Sequence, residues 1–485
     1  LRSGSLEIAY RPRLAALLGI LALAIVGCSS PLSGPPSQQT APARVGANPA
    51  AMLAEAIHYQ SVNPPGNESG IAAFFVQQLR AAGIEAHSIP TPTDASGVKR
   101  AAAWGVLRGT GEAPALVLLS HLDTVPADRT RWEVDPFEGV IRSGDVIGRG
   151  AQDAKGVGVV QLLAMAELAR RSRPLRRDII FLATPDEETG GRLGAGWISR
   201  QRPDLLRDAA YLLTEGGGVQ IGKRGVQAWH VAVTEKAPCW LRLSTEGPSG
   251  HSSVPPRNAA VPRLVRALDR LRRIEMRTRI VPAVANMYAA MAPLADEVDS
   301  RGFADLQREF NSNPDFRRRF LEQRFSRALV QDTFTITVLQ GSSRTNVLPA
   351  RASAHIDARL LPGSSCNDFA ARVRRAVGDQ GVSIEILLTF PTSISPTDTN
   401  LFRAIEQVAR ATDPDAVMVP HVGAGFTDAH WFRELGLVSY GFVPRWHRAG
   451  EQRGVHGPNE RISVKNLERG IRTLVEIIEA FDELD

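Results

Sequence analysis

An α/β fold with a smaller α+β unit set into it is predicted by two observations. Helical and strand-like segments alternate from about residue 45, and the alternation breaks between about 226 and 380 before returning after 390. With 43% hydrophobic residues over 485 positions, the chain has apolar material for more than one core. The simplest arrangement is a discontinuous larger domain, 49–225 and 381–485, with a second domain at 226–380 inserted into it.

In the segment 68–82, Ile71, Phe74, Phe75 and Leu79 share one helical face, and Gly83 follows as a terminator. Strand-like runs come at 102–107 and 115–120, then a helix at about 156–171 and strands at 178–183 and 209–213. Alternating patterns at 228–245, 334–339 and 353–361, with a helix near 260–273, read as the inserted unit. An Arg-rich helical segment at about 296–330 interrupts it. The chain closes on an amphipathic helix that carries Leu467, Ile471, Leu474, Ile478 and Phe481 on one side.

The N-terminal segment reads differently. Arg11 and Arg13 precede an apolar run at 15–26 that suits the core of a signal peptide; a membrane anchor and a buried helix are the other readings. Its ending, Ile25-Val26-Gly27-Cys28, resembles the bacterial lipobox, in which the cysteine is lipidated and becomes the mature N-terminus. That resemblance implies removal of residues 1–27, a lipid anchor on Cys28 and a catalytic body at the periplasmic or extracellular face of a bacterial cell envelope. Residues 28–48, rich in Ser, Pro and Gln, read as a tether. Of the remaining cysteines, Cys239 and Cys366, a disulfide and two buried free thiols are both compatible with the sequence. The formal charge of +6 is dispersed, with clusters no longer than Arg317 to Arg319, so nucleic acid is not indicated as a partner.

Residues of metal-binding type fall just after the strand-like runs, the edge at which open α/β sheets bind ligands. In LVLLSHLDTVP an apolar run ends in His121 and Asp123, which share a face of an extended chain. There Asp123 would accept from the imidazole nitrogen that does not bind metal, although a surface polar pair reads the same way. Asp153 stands in the Gly-rich GRGAQDAKG before a helix, as a helix cap or as a carboxylate using both oxygens to bridge two cations. Glu187 and Glu188, in PDEETGG, would point to opposite sides of an extended segment, one toward a metal and one toward water. Glu215 ends a further strand in YLLTEGGG, and His456 stands in the turn GVHGPNER.

Together SHLDTVP, GRGAQDAKG, PDEETGG, TEGGG and VHGPNE resemble the di-zinc metallopeptidase family of aminoacylases, desuccinylases and carboxypeptidases, with the carboxypeptidase S and Gly-Xaa carboxypeptidase branch nearest. The resemblance implies a zinc-peptidase α/β/α domain on a mixed sheet and an inserted, ferredoxin-like lid and dimerisation domain. It implies two zinc ions, replaceable by cobalt or manganese. Asp153 would bridge them, His121 and Glu215 would complete one site, and Glu188 and His456 the other. A cis peptide at Asp153-Ala154 is also implied. Glu187 would then act as general base and acid on a water acidified by the metals, with Asp123 orienting His121. His251, in TEGPSGHSSVP, would stabilise the oxyanion, from the partner subunit in dimeric relatives. Asn346 and Arg359 would hold the substrate's carboxylate or carbonyl, and GAGFTDAHWF would line the pocket.

The expected activity is hydrolysis of short peptides bearing a free carboxylate, by a carboxypeptidase or dipeptidase, with an N-acyl-amino-acid amidohydrolase as the alternative and a non-catalytic binding lipoprotein as a distant one. The other histidines, His58, His87, His230, His355, His421, His430 and His447, match no ligand motif and read as surface or hydrogen-bonded structural residues.

Overall fold

A computed structural model describes residues 48–222, 225–448, 451 and 454–484; Cys28, the segment expected to be a signal peptide and residues 28–47 of the expected tether lie outside them. Among the described residues, no helix is long and apolar enough to cross a membrane.

A ten-stranded mixed sheet organises the molecule. Its centre is parallel, with Ile179–Thr184, Ala115–His121, Ala209–Thr214 and Val438–Gly441 side by side. Every residue of the first two strands is buried, as expected of parallel strands covered on both faces. Helices Lys155–Leu168 and Val464–Glu483 help cover one face, where Leu163, Leu118, Phe181, Leu474 and Phe481 share a core. Ala195–Gln201 and Ala429–Arg433 cover the other, around Val117, Leu182, Ile198 and Phe432. Ser69–Ala81 forms the early amphipathic helix, and Gly83 follows it at φ +79°.

A separate antiparallel sheet holds Thr333–Gln340, Arg351–Leu360, Ala237–Glu246 and Val382–Thr389, in that order. Helices Ala260–Leu271 and Cys366–Val377 pack on it around Leu241, Leu264, Ile356 and Phe369, a βαββαβ arrangement of the ferredoxin-like kind.

The strand assignments correct the 226–380 boundaries at both ends. Gln227–Glu235 pairs with Val417–Gly423 and lies in the large sheet, whereas Val382–Thr389, beyond the expected end, closes the small one. One alternating run at 228–245 is thus two strands serving two sheets, and periodicity alone does not show the change of partner at Lys236. The Arg-rich helical segment also differs from expectation in its packing. Val284, Tyr288, Phe310, Phe316 and Phe320 form a core with Val419 and Val422, so these helices cover the edge of the large sheet.

Cys239 and Cys366 form a disulfide that joins a strand to a helix of the small sheet across 127 positions. Replacing both by serine is expected to lower unfolding free energy by about 2–4 kcal/mol, because the cross-link restricts the unfolded chain. Urea unfolding of both forms checks this, and an unchanged midpoint would refute it.

Candidate metal centre

Three parallel strands deliver candidate ligands at their C-terminal ends. His121 is the last residue of Ala115–His121, Glu215 follows Ala209–Thr214, and the Glu187 turn follows Ile179–Thr184. Gly441, on the strand beside Glu215, has no room for a side chain: a Cβ there would stand 2.3 Å from the Glu215 carbonyl oxygen. Asp153 precedes helix Lys155–Leu168, and the Asp153-Ala154 peptide is cis. His456 sits in a turn at φ +55°, a backbone setting uncommon for a residue with a side chain.

These residues converge in two triads that share Asp153: His121, Asp153 and Glu215, and Asp153, Glu188 and His456. His121 Nε2 lies 2.9 Å from Asp153 Oδ1 and 3.5 Å from Glu215 Oε1. His456 Nε2 lies 3.0 Å from Asp153 Oδ2 and 3.2 Å from Glu188 Oε2. Each Asp153 oxygen therefore faces a different triad. Glu188 Oε1 is buried with no hydrogen-bond partner, an arrangement that costs free energy unless the oxygen ligates a cation.

The electrostatics also call for positive charge. Burial alone would lower the His121 pKa, but Glu215, Asp123 and Asp153 raise it well above the ordinary imidazole range. Hydrogen bonds to Asp153 and Glu188 push His456 up to about 10. Burial raises Asp153, yet the two histidines hold it below the usual carboxylate range. Imidazole nitrogens and carboxylate oxygens in two such groups form a donor set suited to a pair of zinc-like cations.

Glu187 is buried beside the triads, and desolvation carries its pKa well above that of a free carboxyl. The acid pair is not on an extended segment, as the sequence suggested, but in a 3-10 turn, Glu187–Thr189, entered through Asp186 at φ +78°. The turn is held by Asp123. Its Oδ1 accepts from the Glu187 N–H at 3.1 Å, and its Oδ2 accepts from the Glu188 N–H at 3.1 Å and from Asn63 Nδ2 at 2.8 Å. The nearest group to His121 Nδ1 is the Asp123 backbone carbonyl, at 3.0 Å, while the carboxylate is 3.6 Å away. Asp123 thus orients both the imidazole and the acid pair, the second through bonds that side-chain alternation cannot reveal.

Further supports were missed in the sequence. Arg100, buried, donates to Glu68 at 2.9 Å and to Asn63 Oδ1 at 3.0 Å, continuing the network behind Asp123. Glu460 accepts from the backbone N–H groups of Gly150, Gln152 and Asp153 and from Arg149 Nη1, at 2.7–3.0 Å. The signal for Glu460 was its place in GVHGPNER, four residues after His456; Asn63, Glu68 and Arg100 carry no comparable mark.

A cavity of about 470 Å³ opens on the triads, with Trp240, Arg359, Phe426 and Thr427 on its walls. Arg359 reaches it from the small sheet, makes paired bonds to Asp357 at 2.8 and 3.0 Å, and stacks 4.7 Å over the Phe426 ring. Phe426 and Thr427 come from GAGFTDAHWF, so that loop does line the pocket. His251 and Asn346 do not line this cavity. Both are exposed on the small paired segment where His251 faces Val347; His251 Nδ1 is 2.7 Å from Ser253 Oγ, and the Asn346 carbonyl accepts from the Ser252 N–H. Three other histidines differ from expectation: His230 and His430 are largely buried with no ring hydrogen bond, and His421 lines the cavity with its Nδ1 buried and unbonded.

The sequence profile of Peptidase family M20/M25/M40 matches residues 117–480. N-fatty-acyl-amino acid synthase/hydrolase PM20D1 of Mus musculus is 29% identical over 390 residues, 77% of this chain and 76% of that protein. A probable carboxypeptidase S-like 2 of Dictyostelium discoideum is 26% identical over 366 residues, 73% of this chain and 69% of that one. The fold is similar to the crystal structure of the M20 family metallo-carboxypeptidase Sso-CP2 from Sulfolobus solfataricus, with a TM-score of 0.69 at 18% identity, covering 90% of this chain and all of that one. The paired triads on the strand ends and the match across most of the chain lead to one conclusion: this protein belongs to Peptidase family M20/M25/M40 and is a metal-dependent hydrolase.

Proposed function

We propose that the chain is a two-zinc hydrolase that cuts an amide bond close to a free carboxylate. The observation that carries this reading is the pair of triads sharing Asp153, with the buried carboxyl of Glu187 and the guanidinium of Arg359 in one cavity. Bound there, the metals supply Lewis acidity to the amide carbonyl and to water. Glu187 receives the proton from the attacking water on a carboxylate oxygen and returns it to the departing nitrogen. Arg359, held in place by Asp357 and Phe426, meets the substrate carboxylate, and Asp123 fixes the turn that aims Glu187.

Short peptides and N-acyl amino acids both meet this description. Similarity to a protein named for N-fatty-acyl amino acids favours the N-acyl class. Zinc-loaded enzyme assayed on dipeptides and N-acetyl amino acids tests the reading, with the chelated protein as control; turnover of neither series by protein containing two metals would sink it. Arg359→Ala is expected to raise KM about tenfold or more, through loss of a charged contact, with less effect on kcat. An unchanged KM would remove Arg359 from substrate binding.

His251 and Asn346, exposed and side by side, support a homodimer in which they complete the partner's site. A monomer in sedimentation, fully active without His251, would refute that. The lipobox resemblance and the Cys239–Cys366 disulfide, which suits an oxidising compartment, support an envelope protein anchored through Cys28. Mass spectrometry of the mature N-terminus decides: an unmodified Cys28 excludes the anchor.

A further inference from the structure

A second cavity of about 420 Å³ meets the first at Asp153, Glu215, Gly216 and His421, so both open on the same metal-ligand cluster from different directions. Their walls differ in kind. The first alone carries Arg359, Glu187 and Glu188; the second shares Asp153 and Glu215 with it but adds Val157, Met287, Met291, Phe325, Val443 and Val455 to its lining. Met287 and Met291 lie on helix Pro282–Met291 and Phe325 on Arg324–Val330, so the helical segment that covers the large sheet's edge builds part of this wall. Phe325 and Val455 are 48% and 49% exposed, large apolar groups kept at the surface of a cavity.

Three imidazoles line this wall, His230, His421 and His447, and the first two pack against each other. His230 and His421 meet edge to face at 5.3 Å, and burial lowers them to about 3 and about 4. Methionine side chains adapt to unbranched chains of varied length. Gln220 and Arg445 also line the cavity, which leaves the opposite orientation, with the substrate carboxylate on this side, as the competing arrangement to be tested.

The geometry points to this second cavity as the acyl subsite for N-acyl amino acids with a medium or long aliphatic acyl chain, whose amide bond lies at the shared wall while the amino-acid carboxylate turns toward Arg359. The inference rests on the amide-hydrolase reading above and adds the class of acyl group.

The test is kcat/KM of the zinc-loaded enzyme on N-acetyl, N-octanoyl and N-dodecanoyl derivatives of one amino acid. An increase of about tenfold or more from acetyl to the preferred longer chain is expected, since each buried methylene adds to binding. Met291→Trp, which narrows the cavity, and Phe325→Asp, which places a charge at its surface, should each reduce that ratio about tenfold. Met291 is half-buried and Phe325 exposed, and circular dichroism with metal analysis checks that both variants are folded and loaded. Calorimetric titration with dodecanoate of the chelated protein gives a readout independent of turnover, expected to weaken in both variants. Cleavage of the N-acetyl compound with a flat chain-length series overturns the subsite alone. A shift in amino-acid preference in Met291→Trp, with the acyl ratio unchanged, reverses the orientation and also overturns it. Cleavage of no N-acyl amino acid and no dipeptide removes the hydrolase reading itself; cleavage of dipeptides alone spares that reading and removes the subsite.

Discussion

Glu187→Gln is expected to lower kcat by about a thousandfold while both metals stay bound, because general acid–base transfer contributes roughly 10²–10⁴ in rate. Glu187 belongs to neither triad, so its replacement leaves the ligand set intact. Its backbone N–H still bonds Asp123, which keeps the turn and Glu188 in place. Glutamine matches the carboxyl in size but cannot accept the proton from water and release it to the leaving nitrogen. The informative quantities are kcat, KM and metal content measured together. Loss of metal in step with activity would make Glu187 a ligand, and activity near that of the parent would exclude it from proton transfer.

Glu460→Ala is expected to destabilise the protein by about 3–5 kcal/mol and to release metal, although Glu460 belongs to neither triad. Its buried carboxylate receives Arg149 and the N–H groups of Gly150, Gln152 and Asp153. Removing it leaves a buried guanidinium without its charge partner and three backbone donors without an acceptor, which is the costly way to break such a pair. The loop it gathers is the one that presents Asp153 to both triads. Glu460→Gln keeps an acceptor and should retain more stability than alanine. Urea unfolding and metal analysis of the two variants check the ranking; an alanine variant as stable and as fully loaded as the parent would show that the loop holds itself.

The residues of the two triads were nominated from short motifs, whose resemblance to a known family implied their roles as ligands, and some of these motifs stand where a continuous apolar run stops and a polar residue follows. His121 and Glu215 are marked in this way, and Asp153 and His456 by the small residues around them. The acid pair was legible as a pair, but its backbone was not, since the turn that follows Asp186 is held by bonds from the Glu187 and Glu188 N–H groups to Asp123, 64 and 65 positions earlier. Arg359 could be nominated from its motif; that it reaches the cavity follows from the small sheet and Phe426 meeting there. His251 and Asn346, nominated in the same way, lie on an exposed edge of the chain.

By itself the sequence determined the α/β class and the positions of most strands and helices, because local periodicity records which side chains are buried; the triad residues it nominated came from motifs that resemble a known family, and the structure brings them within reach of one another. Only the tertiary structure decided that Gln227–Glu235 and Ala237–Glu246 serve different sheets, that Glu460 and Asn63 hold the candidate metal-binding loops, and that helix Pro282–Met291 and Phe325 wall a second cavity. Those features arise from contacts between segments far apart in the chain, and a buried hydrogen bond or a shared wall leaves no periodic trace in either partner alone.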